Sequence, residues 1–368
     1  MNAIVPAPIA ALPWRVIFVL LGLAMFGTAV LYSAAGGSFS PWAGNHIIRF
    51  CVLMTMAVIM SRLPLDFWKQ ITFPLYLILL LMLVAVELIG FAGGGSQRWI
   101  DLGIITFQPS ELMKPTVVLV TAWFFDRLPP SKINGLDAVW PVAIMLIVPS
   151  ILVIIQPDFD AALAYIFCAA VVGFLAGWPM IYFIAGGLAV AVIAPLVFFF
   201  GLRPYQQDRV LIFLNPEQDP LGAGYHITQS KIAIGSGGIF GKGFGNGTQS
   251  HLDYLPEGHT DFIFATMAEE WGLMGGLIII GLYVLLMRWG LKVAMESTSR
   301  YGQLVAGGLT CTIFFYIMVN LLMVVGFAPV AGLPLPFISH GGSSMLTMMI
   351  CVGIIMSIER HPGRRTFG

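Results

Sequence analysis

Residues 71–92 read ITFPLYLILLLMLVAVELIGFA, twenty-two positions interrupted by one charge, Glu87. Crossing the ~30 Å hydrocarbon layer takes about 20 predominantly apolar residues in a helix. Lipid offers no partner for backbone N–H and C=O groups, so the chain must pair them within itself, and a helix does so whatever its β-propensity. The run is continuously apolar rather than alternating, which excludes the pattern of a barrel strand.

Working outward, comparable runs fall at about 15–33 and 46–61 before it, and at 111–125, 139–155, 160–176, 180–200, 262–287, 301–325 and 342–358 after it. The sequence therefore predicts an all-α, polytopic integral membrane protein with about ten transmembrane helices. It parses as one domain over 1–368, with a long extracytoplasmic loop at 201–258. The pair 139–155 and 160–176 is separated only by Gln156–Phe159. Of the 368 residues 58% are hydrophobic and 10% charged, against ~25% charged in a soluble domain; lipid must replace water around much of the surface. Met1–Pro13 has no basic cluster, so the first run reads as a spanning helix and not a cleaved signal.

The 18 basic and 18 acidic residues balance, which gives no footing for a nucleic-acid partner. Cys51, Cys168, Cys311 and Cys351 all lie in apolar runs without metal-ligand spacing and read as small hydrophobes. With ten spans, the positive-inside rule places both termini in the cytoplasm, because the short inner connections hold Arg15, Arg62, Lys69, Arg127, Lys132, Arg288, Lys292 and Arg300. Four polar clusters then share the outer side: 98–114, 156–160, 255–261 and 332–344. In the outer loop, 225–234 reads as a short helix lying on the membrane surface. The seven glycines within 235–247 read as a flexible connection, since they match no phosphate-binding motif.

Asp261 stands first among candidate site residues, at the mouth of a span, where a carboxylate is costly unless solvated, paired or used. It admits two readings, a cap for the following helix or a functional carboxylate in a polar cavity. Glu257 and His259 are interfacial loop residues or its neighbours in that cavity, with His259 able to tune the local charge. Glu111 and Lys114 are one turn apart and pair, as a structural ion pair or as catalytic groups. Asp158, after Pro157, can cap the next helix, bind a cation or orient a lysine. Glu87, deep in its run, can donate an interhelical hydrogen bond if protonated. Ser343 lies in the Gly–Ser start of the last span, where free N–H groups can hold an anion such as pyrophosphate or are merely capped. Lipid-linked catalysis and transport both remain open at this point.

Ordered motifs spread over nearly the whole chain then resemble those of the SEDS (shape, elongation, division and sporulation) peptidoglycan glycosyltransferases. They are Arg98-Trp99-Ile100, Phe107-Gln108-Pro109-Ser110-Glu111 with Lys114, Gln156-Pro157-Asp158, Gly235-Ser236-Gly237-Gly238, and Leu255-Pro256-Glu257 with His259-Thr260-Asp261-Phe262-Ile263-Phe264-Ala265. Pro334-Leu335-Pro336-Phe337-Ile338-Ser339 and Gly341-Gly342-Ser343-Ser344 complete the set. Gly247-Thr248-Gln249-Ser250, Asn215-Pro216 and Gln229-Ser230-Lys231-Ile232 are similar to the elongation branch rather than the division branch. Two positions depart from the pattern, Phe159-Asp160-Ala161 after the Gln-Pro-Asp turn and His340 after Ser339.

The resemblance implies polymerisation of lipid II into β-1,4-linked glycan strands at the outer face of the bacterial inner (cytoplasmic) membrane during elongation. It implies Asp261 as the essential carboxylate, read here as general base, with undecaprenyl pyrophosphate leaving. Lys114, Arg98 and a divalent cation (Mg or Mn) are expected to neutralise that group, and Glu111 and Asp158 to organise the cavity; no organic cofactor is expected. Implied partners are a class B penicillin-binding protein, the MreB-associated elongation machinery and membrane lipids. The alternative is a lipid II flippase or other polytopic lipid carrier; a structural scaffold for the penicillin-binding partner is a third reading.

Overall fold

Ten helices of at least eighteen residues run through the described part of the chain. They are α1 Trp14–Ala34, α2 Ala43–Met60, α3 Leu65–Ile89, α4 Pro109–Arg127, α5 Leu136–Ile155, α6 Phe159–Ala176, α7 Met180–Phe200, α10 Ile263–Glu296, α11 Arg300–Val324 and α12 Gly342–Arg360. Two shorter helices, α8 Ala223–Gly237 and α9 Thr248–His251, lie between α7 and α10. The computed structural model describes residues 12–93, 96–101, 106–201, 207, 211–213, 215, 223–252, 254–255 and 257–361. Three short antiparallel strands, β1 Phe91–Gly93, β2 Ser96–Asp101 and β3 Thr106–Phe107, pair in the order β1-β2-β3 between α3 and α4. The molecule is a multi-pass, essentially all-helical membrane protein.

Among the described residues nine helices are long and apolar enough to cross a membrane. The tenth expected span is α4, which carries Glu111, Lys114, Asp126 and Arg127. It packs against α3, α5, α6, α11 and α12, and both Glu111 and Lys114 are buried. Ionisable groups at membrane depth face a bundle interior or a wet cavity, so the least apolar helix becomes the central one. By contrast α7 buries none of its residues.

The 34 residues of α10 form two helical pieces rather than one continuous rod. The helix is broken at Gly272 (φ 64°, ψ −160°). The glycine-rich segment fills that break: Leu273 N donates to Gly238 O (2.9 Å), Met274 N to Ile239 O (3.1 Å), Lys242 N to Glu269 O (3.0 Å) and Gly243 N to Glu270 O (3.0 Å). Backbone groups freed by the break are thus re-paired, as burial requires. Gly241 has φ +79°, and a Cβ there would stand 2.1 Å from Glu270 O; only glycine fits. The fully buried Glu269 accepts from Lys242 Nζ (2.6 Å), Thr248 N (2.9 Å) and Gln249 N (3.1 Å).

Three expectations change here. The glycine-rich stretch is not a loose connection, because its backbone is hydrogen-bonded to α10. Helix α8 does not merely lie on the membrane surface. Ile227, Ser230 and Ala233 are buried, the helix packs against α10 and α11, and Ser230 Oγ donates to Val324 O (2.7 Å). Glu87 is also displaced from its expected depth: it lies in the last turn of α3 and is exposed.

Candidate active site

Four interruptions of the helical bundle converge on one polar cavity of about 650 Å³. These are the strand β2 and start of α4, the α5–α6 turn, the segment 257–261, and the segment 332–340. Five carboxylates (Glu111, Asp158, Asp160, Glu257, Asp261) and two basic groups (Arg98, Lys114) line it. A groove of about 750 Å³ between α10 and α11 is almost wholly apolar and offers a hydroxyl no proton acceptor.

Lys114, 1% exposed, donates to Glu111 Oε1 (2.6 Å) and to the Tyr316 hydroxyl, which itself donates to Glu111 Oε2 (2.6 Å). The spacing of one helical turn puts the lysine above the glutamate, and α11 supplies the tyrosine. This closed set satisfies a charge pair that would otherwise be expensive to bury.

The α5–α6 turn is held from the other side. Arg98 Nε donates to Gln156 O (3.2 Å), Nη2 donates to Pro157 O, and Nη1 lies 3.7 Å from Asp158 Oδ1. Asp158 caps α6 by accepting from Ala161 N (3.4 Å), and accepts from Ser110 Oγ (2.9 Å) and Gln108 Nε2 (3.3 Å). Pro157 sits at φ +28°, a conformation that a proline ring resists; the Arg98 clamp holds the carbonyls on both sides of it. Asp160 occupies the first turn of α6 and faces the cavity.

Asp261 is half-buried. Helix α10 starts at Ile263 with Phe262 as its N-cap, without a capping side chain and without an acid in its first turn. Asp261 precedes the cap and lines the cavity wall. The turn before it is closed by Thr260 N and Phe262 N, both donating to Glu257 O (3.1 Å each), and by Thr260 Oγ1 to Glu257 Oε2 (2.6 Å).

The family model described as FTSW_RODA_SPOVE, cell cycle protein, matches residues 10–363. The chain belongs to the FtsW/RodA/SpoVE family. It is 43% identical over 352 residues to the peptidoglycan glycosyltransferase MrdB of Escherichia coli K12, covering 94% of this chain and 92% of that one. It is 37% identical over 359 residues to a probable peptidoglycan glycosyltransferase FtsW of Coxiella burnetii, covering 94% and 95%. Among solved structures, a chain from "Structural coordination of polymerization and crosslinking by a peptidoglycan synthase complex" has a TM-score of 0.82 at 30% identity, covering 95% of this chain and 98% of that one. The Thermus thermophilus rod shape determining protein RodA has a TM-score of 0.71 at 26% identity, covering 95% and 97%.

Of the eight site residues expected from sequence, this FtsW/RodA/SpoVE chain brings Arg98, Glu111, Lys114, Asp158, Glu257 and Asp261 to one cavity. His259 and Ser343 are not among its lining residues. The His259 ring stacks on Trp42, centroids 4.2 Å apart at 12°. Ser343, half-buried in the first turn of α12, accepts from Thr347 Oγ1 through its carbonyl (3.0 Å). His340 does line the cavity, and its Nε2 lies 3.4 Å from Arg49 Nη1. Burial pulls His259 below the usual histidine value, with Glu257 pushing it back up. His340 is also pulled down, by burial first and then by Arg49.

Sequence reasoning missed Arg49, Tyr316 and Asn320. Tyr316 and Asn320 lie four residues apart in one run that also holds Thr310 and Thr312, and Arg49 follows His46 by three, so nothing in their sequence setting singled them out.

Proposed function

We propose that this chain is a peptidoglycan glycosyltransferase of the elongation branch, polymerising lipid II into β-1,4-linked glycan strands at the outer face of the inner membrane, both termini cytoplasmic. The observation that supports this most directly is Asp261 in the wall of a polar cavity built by the connections of an apolar helical bundle. The 43% identity to MrdB, against 37% to an FtsW, favours the elongation branch.

Asp261 acts as general base. An ordinary aspartate, pKa ~3.9, is far too weak a base to ionise a sugar hydroxyl in advance. The proton of the acceptor 4-hydroxyl therefore moves to Asp261 as that oxygen attacks the donor's anomeric carbon. The anomeric C–O bond to phosphate breaks with inversion, and its electron pair leaves on undecaprenyl pyrophosphate. Arg98 and Lys114, the two cations in the lining, are matched by Asp158 and Glu111, so they organise the walls as well as facing the leaving diphosphate; Arg49, exposed beside His340, adds positive charge next to the cavity.

A divalent cation fits this cavity in a limited way. Among the described residues no three His, Cys, Asp or Glu side chains gather as a chelate. Magnesium characteristically binds through one or two carboxylates plus substrate phosphates and water; Asp160 and Asp261, both in the lining, would hold it. When bound it supplies charge neutralisation.

A class B penicillin-binding protein is the proposed partner, within the MreB-associated elongation machinery. Support comes from the likeness to a chain of a complex that coordinates polymerisation and crosslinking. The test is reconstitution in vesicles with labelled lipid II supplied only outside, partner present. Glycan strands without any lipid movement are expected; vectorial lipid movement without strands would instead indicate a flippase.

A further inference from the structure

Asp261 belongs to no helix, so its side chain is aimed by whatever fixes the irregular segment 257–262. Two links tie that segment to the facing wall directly: Ser339 Oγ donates to Thr260 O (2.7 Å), and His340 N donates to His259 O (3.0 Å). Ser339 Oγ also accepts from Leu335 N (2.8 Å), which fixes the hydroxyl itself. A third link comes from outside both segments. Asn320, fully buried in α11, donates through Nδ2 to Asp261 O (2.8 Å) and to Leu333 O (2.8 Å).

Both neighbours of that nitrogen are carbonyl oxygens, so the amide orientation is dictated: only NH2, with its two hydrogens, suits them. The price is at the other end, where Asn320 Oδ1 is buried without a hydrogen-bond partner. A residue kept for packing alone would not leave such an atom orphaned, since an apolar side chain fills the space without it. Asp261 and Leu333 both line the polar cavity. The amide therefore joins the Ser339 and His340 links in fixing the distance between the carboxylate-bearing wall and the wall across from it.

We infer that Asn320 is a positioning residue for Asp261, acting on the backbone carbonyl of the general base and not on substrate. The inference rests on the glycosyltransferase reading given above. Misplacing a reacting group by an ångström costs as much as two orders of magnitude in rate while leaving binding largely intact. The signature is therefore a fall in kcat without a matching rise in KM.

The experiment measures kcat and KM for lipid II polymerisation by the full chain with its partner, for wild type, Asn320→Ala and Asn320→Ser, alongside thermal unfolding in detergent. Expected are a kcat at least tenfold lower in Asn320→Ala with KM within twofold, and partial recovery in Asn320→Ser, which keeps one donor. A folded Asn320→Ala with wild-type kcat overturns the inference, as does a loss carried mainly by KM. If the alanine variant does not fold, a folded serine variant decides by the same criterion. Failure of both to fold makes the role structural and also overturns it. Absence of strands from wild type rejects the glycosyltransferase reading itself, whereas active wild type with an unaffected Asn320→Ala rejects only this one.

Discussion

Lys114 Nζ stands 2.6 Å from Glu111 Oε1, one turn into the central helix and almost wholly out of water, with the Tyr316 hydroxyl closing the set. Removing one member strands the other. Lys114→Met should destabilise the protein by about 3–5 kcal/mol, the usual result of leaving one buried charge unpaired. Lys114→Met combined with Glu111→Leu should recover much of that loss. Unfolding midpoints in detergent for the single and double variants check this; a single variant as stable as wild type would show the pair contributes nothing to the fold.

Arg98 grips the α5–α6 turn at Gln156 O and Pro157 O and faces Asp158. Lysine keeps the charge but loses the planar fork that reaches several acceptors. Arg98→Lys should therefore lower polymerisation steeply, by up to roughly 10²-fold if the wall shifts by an ångström. Comparison with Arg98→Ala is informative: equal losses are expected, and full activity in the lysine variant would reduce Arg98 to a simple positive charge.

Much of this was legible beforehand, for a physical reason. Hydrocarbon forces every backbone group to pair locally, so apolar runs such as 71–92 announce helices directly, and ten spans follow. The polar interruptions pointed to the cavity's lining: Asp261 and Asp158 stood as charges at helix ends, and Arg98 in the polar stretch between two spans. Depth and partner were not legible. Glu87 looked buried because its run continues to Ala92, yet α3 stops at Ile89. The glycines of 235–247 looked loose because their purpose, filling a break at Gly272, depends on a helix thirty residues away. Asn320 carries no charge and sits in an unremarkable run; only the fold brings Asp261 O and Leu333 O to its amide.

Gly241 offers a test of that filled break. Alanine there must adopt a left-handed conformation, costing about 1–2 kcal/mol, and must also push aside Glu270 O, 2.1 Å from the new carbon. Gly241→Ala should be less stable than wild type by more than that conformational cost. Alanine at Gly245, also positive in φ but with open space around it, should show the conformational cost alone. Equal midpoints for the two would argue against close packing at 241.

His259 and His340 give an expected pH response. Both lie outside the spans with pKa values pulled below 6.5, so the unfolded chain binds protons more readily than the folded one. Their contribution to stability is complete above about pH 6.5 and is lost as the pH falls through their folded values. Acidification from pH 7.5 to 5 should lower the unfolding midpoint, and His340→Gln should flatten part of that slope. A midpoint that rises on acidification in wild type but not in the variant would reverse the assigned direction.

Strand synthesis from labelled lipid II by purified protein with its partner, comparing wild type with Asp261→Ala and Asp261→Asn, probes the mechanism at its source. Loss of a positioned general base typically removes ~10²–10⁴-fold in rate. Both variants should therefore give no measurable strands while still folding and binding the partner. Turnover by either one within a few-fold of wild type would mean that the acceptor's proton goes elsewhere, and that this aspartate is not the base.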